Sequence, residues 1–142
     1  MIAQTIQLAL APVFVLVAVG NILNLLSSRL GRVVDRSRKL QERHLQVEGR
    51  DRDEVVAEIR MIDRRIFLIT RAIRLMVTSG LFIGTTVAVL FLEELVKLNL
   101  QRVAAATFLI AVGLLMWALV LFLRETQVSA QQLRIPRMYL EL

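Results

Sequence analysis

The sequence of 142 residues contains no cysteine and a single histidine, His44. The first absence removes disulfides, thiol nucleophiles and thiolate metal ligands, and with them the secreted disulfide-stapled scaffolds. The second leaves no imidazole pair for a metal, and no glycine-rich phosphate loop accompanies it. His44 reads as a surface residue near a helix end. Glu93 and Glu94 are adjacent, so on a helix they point about 100° apart and mark a water boundary rather than a paired acid and base. An enzyme is not expected, and neither is a cofactor or metal. Aromatic residues are also scarce at 6%, and Phe67 is the only one between Ser27 and Arg74. A nucleic-acid surface would need stacking platforms there, so the basic character (sequence pI about 11.2) does not point to nucleic acid.

What is present is hydrophobicity in blocks. The chain is 56% hydrophobic, yet holds 18 Lys and Arg against 12 Asp and Glu, a net charge of +6; its mean hydropathy is +0.63. Such segregation excludes a disordered chain and argues against an ordinary soluble globule. Three uncharged runs, Leu8–Leu26, Leu75–Leu92 and Val103–Leu123, hold 19, 18 and 21 residues. At 1.5 Å per residue each approaches the roughly 30 Å of a bilayer core, where the backbone has no partner but itself and must be helical. Transmembrane helices are predicted over 6–26, 75–92 and 103–123. Pro12 falls in the first turn or two of the first run, where a missing N–H costs least. A cleaved signal peptide ending at Ala18-Val19-Gly20 fits less well. No Lys or Arg occurs in Met1–Gln7, and the apolar run continues through Leu26.

Basic residues near span ends stay on the cytoplasmic side. Ser27–Arg74 carries 13 Lys and Arg against 8 Asp and Glu, the Glu93–Arg102 connection carries two of each, and Met1–Gln7 carries none. The expectation is a multi-pass inner-membrane protein with its N-terminus outside, residues 27–74 in the cytoplasm, and a cytoplasmic tail, 124–142. That basic connection keeps helical spacing: Leu30, Val33, Val34, Leu40 and Leu45 lead out of the first run, and Val55, Val56, Ile59, Ile62, Ile66, Ile69 and Ile73 lead into the second. Between them Val47–Asp53 breaks the pattern with Gly49 and a charge cluster, which reads as the turn of a helical hairpin. The predicted fold is all-α: a single membrane domain of three transmembrane helices. The first two, Ile6–Leu45 and Asp53–Leu92, extend into an antiparallel cytoplasmic hairpin, and the third packs only in the membrane. Gln127–Leu133 extends the third helix, and Pro136 ends it before Tyr139.

The stretches Ala3-Gln4-Thr5-Ile6-Gln7-Leu8-Ala9-Leu10-Ala11-Pro12-Val13-Phe14, Asn24-Leu25-Leu26-Ser27-Ser28-Arg29-Leu30-Gly31-Arg32-Val33-Val34-Asp35-Arg36 and Arg71-Ala72-Ile73 resemble the bacterial membrane-protein family catalogued as domain of unknown function 2721. The similarity covers roughly residues 3 to 125. It implies a small inner-membrane protein and supplies no activity or catalytic residue.

Polar residues at membrane depth are the remaining clue. Gly20, Asn24, Ser27, Ser28 and Gly31, with Asn21, give the first helix a seam of small or hydrogen-bonding side chains. In lipid such seams pack against something, because small residues let helices approach and amides bond across them. Gly80, Gly84 and Ala88 of the second helix, flanked by Thr78, Ser79, Thr85 and Thr86, offer a matching surface. The simplest expectation is packing within the three-helix unit, followed by self-association. A sharper alternative is a homo-oligomeric channel or transport accessory with Asn21, Asn24 and Ser28 facing inward and Arg29 and Arg32 at its mouth. Arg29, Arg32, Arg64, Arg65, Arg71 and Arg74 form a candidate collar for anionic lipid headgroups. Trp117 reads as a packing residue. The leading functional expectation is a structural or scaffold role, in which the basic hairpin meets headgroups or a protein partner.

Overall fold

The computed structural model describes residues 2–46 and 48–133, which form α1 (Ile2–His44), α2 (Arg50–Val96) and α3 (Gln101–Leu133). Among the described residues there is no strand. Each helix contains an 18-residue window of mean hydropathy 2.2, 2.1 or 2.6, long and apolar enough to cross a membrane. Within the unit only 17%, 22% and 17% of those windows are buried, so most of their apolar surface faces outward. Leu8, Phe14, Leu81 and Leu109, each 59–69% exposed, are part of that surface, which water would not tolerate and lipid solvates.

The core is built on a seven-residue repeat. Thr5, Pro12, Val19, Leu26, Val33 and Leu40 are the buried ladder of α1, and Val55, Ile62, Ile69, Met76 and Ile83 that of α2. A helix turns every 3.6 residues, so a strict repeat of seven stays on one face only if the two helices coil around each other with a left-handed twist. The pair is antiparallel. Arg36 donates from Nε (3.1 Å) and Nη2 (2.9 Å) to Oε1 of Glu58, and Leu16 and Val19 lie against the backbone of Gly80. These contacts fix the register: Val33 stands level with Ile62, and Val19 with Met76.

A second ladder joins α2 to α3 and uses small residues. Ala72, Ser79 and Thr86 of α2 are buried, as are Ala104, Ala111 and Ala118 of α3. Ser79 Oγ donates to the carbonyl of Ala111 at 2.7 Å, and the Thr86 and Thr107 hydroxyls lie 2.8 Å apart. Apolar side chains gain nothing by leaving lipid, so close approach and interhelical hydrogen bonds are what hold helices together there. In the polar segment the balance reverses: burying Leu40, Val55 and Ile62 from water stabilises by roughly 1.5–3 kcal/mol each.

The first helix starts four residues before its predicted start and stops at His44, one short of Leu45, while the second outruns both of its predicted ends. With α1 starting at Ile2, Pro12 sits in the third turn rather than the first and leaves the Leu8 carbonyl without its helical partner. The hairpin turn is also shorter than Val47–Asp53. Gly49, at φ 73° and ψ −133°, occupies backbone space open mainly to glycine, and its carbonyl accepts from Asp53 N–H at 3.2 Å. Lys97 closes α2 in the left-handed conformation, its N–H donating to Glu93 O at 2.8 Å. The third helix does not pack only within its apolar run. It continues through Leu133, as the sequence predicts, but Glu125 and Ser129, beyond Leu123, are buried. Trp117 is 52% exposed rather than packed inside. Pro136 and Tyr139 lie outside the described residues.

Candidate functional site

The most concentrated chemistry lies where the apolar run of α3 ends. Glu125, seven residues after Ala118, continues the alanine ladder and is 0% exposed. Arg29 of α1 donates to its Oε2 from Nε at 2.9 Å and Nη2 at 2.5 Å, and Arg65 of α2 donates to Oε1 from Nε at 3.1 Å. The Arg29 guanidinium also lies 5.4 Å from the ring centre of Phe122, one turn earlier on α3. One carboxylate therefore ties all three helices together at a single level. Buried charge is tolerated only when paired and hydrogen-bonded. Here both carboxylate oxygens are bonded, and among the described residues no buried side-chain nitrogen or oxygen lacks a partner. The arrangement suits a clamp. It joins no nucleophile to a base, and among the described residues no group of three His, Cys, Asp or Glu could hold a metal.

In the sequence Glu125 falls in the expected cytoplasmic tail, 124–142. Its partners stand 96 and 60 residues away in the chain, a pairing that no local spacing encodes. The available signal was the ladder itself: Ala104, Ala111 and Ala118 at intervals of seven, with a lone carboxylate next in step.

The six arginines of the expected collar divide. Arg29 and Arg65 turn inward to Glu125, whereas Arg32, Arg64, Arg71 and Arg74 are exposed. Arg64, Arg71 and Arg74 join Arg60, Phe67 and Thr70 around a groove of about 850 Å³ on the outer face of α2. Thr78 borders it too, but its hydroxyl is bonded to the carbonyl of Arg74 at 2.8 Å.

The polar seam of α1 does not meet α2. Gly20, Asn21, Asn24, Ser27, Ser28 and Gly31 are all exposed, and among the described residues no atom outside the local helix lies within 4 Å of a Cβ built on Gly20 or Gly31. The reason is the repeat of seven: the face that follows Val19, Leu26 and Val33 turns toward α2, and the seam occupies the opposite side. Gly80 does lie against α1, beside Leu16 and Val19, but Gly84 and Ala88 are exposed. The small-residue contact the sequence suggested is instead between α2 and α3. At the far end of the unit Glu93 and Glu94 line a crevice of about 220 Å³ with Gln4, Thr5 and Gln101. His44 borders a shallow groove of about 390 Å³ at the hairpin end with Val56 and Ile59.

The family model described as Protein of unknown function (DUF2721) matches residues 9–135 of the chain. No curated protein and no solved structure matches it.

Proposed function

We propose that this chain, which belongs to the DUF2721 family, is a multi-pass inner-membrane scaffold that holds a rigid helical stalk in the cytoplasm for a protein partner. The observation carrying this reading is the continuity of the two buried ladders. Val19, Leu26, Val33 and Leu40 run without a break from apolar span to charged segment, as do Ile83, Met76, Ile69, Ile62 and Val55. The stalk is thus a continuation of the membrane pair rather than a linker hung from it. Residues 27–44 at 1.5 Å each give a projection of about 27 Å. At its base Glu125 braces both stalk helices against α3. The surplus of Lys and Arg in 27–74 supports the orientation, N-terminus outside and C-terminus inside. Exposed Arg32 and Arg64 favour anionic headgroups at the stalk base, each by about 1 kcal/mol.

The test is site-specific photo-crosslinking in cells from Lys39, Glu42 and Asp51, exposed on the stalk, and from Leu109 and Met116, exposed on the third span. A discrete protein adduct from stalk positions, absent from span positions, supports the reading. Adducts from the spans alone overturn it. The other reading, a pore or transport accessory lined by the α1 seam, draws on the exposure of Asn21, Asn24 and Ser28; ion flux from proteoliposomes tests it.

A further inference from the structure

Two polar faces of the unit are exposed and meet no other part of it among the described residues. Asn21 and Asn24 stand two and five residues beyond Val19 of the α1 ladder, and Arg71 and Arg74 stand two and five beyond Ile69 of the α2 ladder. Two and five residues correspond to about 200° and 140° of helical rotation, so both pairs are on the sides turned away from the seam between α1 and α2. All four are exposed, and neither asparagine amide has a hydrogen-bond partner among the described residues. The unit therefore carries one unsatisfied polar face on each of two opposite sides.

These faces also match in depth. The register set by Arg36 with Glu58 and by Leu16 with Gly80 puts Asn24 level with Arg71 and Asn21 level with Arg74. Further toward the turn, Asp35 is two residues beyond Val33 and Arg60 is five beyond Val55; they too are level and exposed, and among the described residues neither has an ion-pair partner. The register of α3, set by Ser79 with Ala111 and Arg65 with Glu125, places Met116 level with Arg74, and the uncharged run of α3 continues another turn or more to Leu123. Arg74 is therefore at apolar depth, where an unpaired charge is costly and normally faces a partner. The hydroxyls of Thr78 and Thr85 bond to carbonyls of their own helix at 2.8 and 2.9 Å. Among the described residues the arginine and asparagine side chains have no such bond, and asparagine, unlike arginine, is too short to reach the headgroups.

We propose that the outer face of α1 is covered in the membrane by the outer face of α2 of a second copy of this chain, joined head to tail. Copies inserted in one orientation hold equal residues at equal depth, so each contact falls into step without a further adjustment. Asn21 and Asn24 accept from Arg74 and Arg71 of the neighbour, and Asp35 pairs with the neighbour's Arg60. The interface is heterologous and leaves a free face at each end, so it propagates beyond a dimer into a ring or a row. It assigns Arg71 and Arg74 to a protein neighbour rather than to headgroups, and it stands apart from the stalk reading.

Because the chain has no cysteine, the test is direct. Val17 and Thr78 are exposed on the two outer faces at the same level. Oxidation of the Val17→Cys/Thr78→Cys variant in native membranes should yield a ladder of disulfide-linked dimers, trimers and larger species. Neither single variant should crosslink, and mixing the two should give dimers only. Adding Asp35→Arg should cut the ladder several-fold, and adding Arg60→Asp as well should restore it. Crosslinking of Val17→Cys alone would show a symmetric contact of α1 with α1 and overturn the proposal. So would a chain that stays monomeric in the double variant, or a charge swap that fails to restore the ladder.

Discussion

Replacing Glu125 with alanine removes the one carboxylate that two arginines share. Breaking a buried ion pair by deleting one partner costs roughly 3–5 kcal/mol, because the remaining charge loses its compensation. Arg29 and Arg65 keep 26% and 17% of their side-chain surface exposed, so both have a route along which to reach water. The lower end applies, about 3 kcal/mol, or a shift of roughly a hundredfold in the equilibrium between docked and undocked α3. Glu125→Gln retains one acceptor oxygen but turns its NH₂ toward a guanidinium, and should lose about 2 kcal/mol. The triple replacement of Arg29, Arg65 and Glu125 by leucine should come within about 1 kcal/mol of wild type or exceed it, since a well-packed apolar substitute avoids the desolvation penalty. Energy transfer from Trp117, the one tryptophan of the sequence, to an acceptor on Thr70→Cys follows the separation of α3 from α2 during titration with a denaturing detergent. A loss below about 1 kcal/mol for Glu125→Ala, or a triple variant as weak as the single one, would refute the clamp.

Three further outcomes follow from the same structure. Ser79→Ala removes the 2.7 Å bond to Ala111 and should cost about 0.6 kcal/mol and no more than about 1.7, measured by the same titration. Leu40→Ala empties a ladder position that is 1% exposed in the stalk; a loss of about 2–5 kcal/mol is expected, read as faster hydrogen exchange at the hairpin end with the spans unaffected. Lys97→Gly relieves a non-glycine residue held at φ 58° and should stabilise the α2 terminus by about 1 kcal/mol, seen as a higher melting temperature in mild detergent.

The three spans and the hairpin were legible in the sequence because each depends on local pattern: an uncharged run of bilayer length, or isoleucine and valine at helical spacing. The faces were less so. The seam of Asn21, Asn24 and Ser28 is plain in the sequence, but its direction depends on which neighbour the repeat of seven selects. The ladder of Val19, Leu26 and Val33 faces α2, and the seam, which lies off that ladder, turns outward. Gly84 and Ala88 imitate a packing motif but lie off the ladder, while Ala72 and Ser79, on it, carry the contact with α3. Arg65 and Arg64 are adjacent, yet about 100° of rotation turns the first to Glu125 and leaves the second exposed.

The central claim is that α2 passes from membrane to stalk as one rigid rod. A pulsed electron-paramagnetic-resonance distance between spin labels at Glu54→Cys and Leu92→Cys, both exposed, tests it in lipid nanodiscs. An unbroken helix over 38 steps of 1.5 Å predicts a single narrow population near about 57 Å. A broad or much shorter distribution would mean that the stalk hinges at the membrane surface, and the scaffold reading would fail with it.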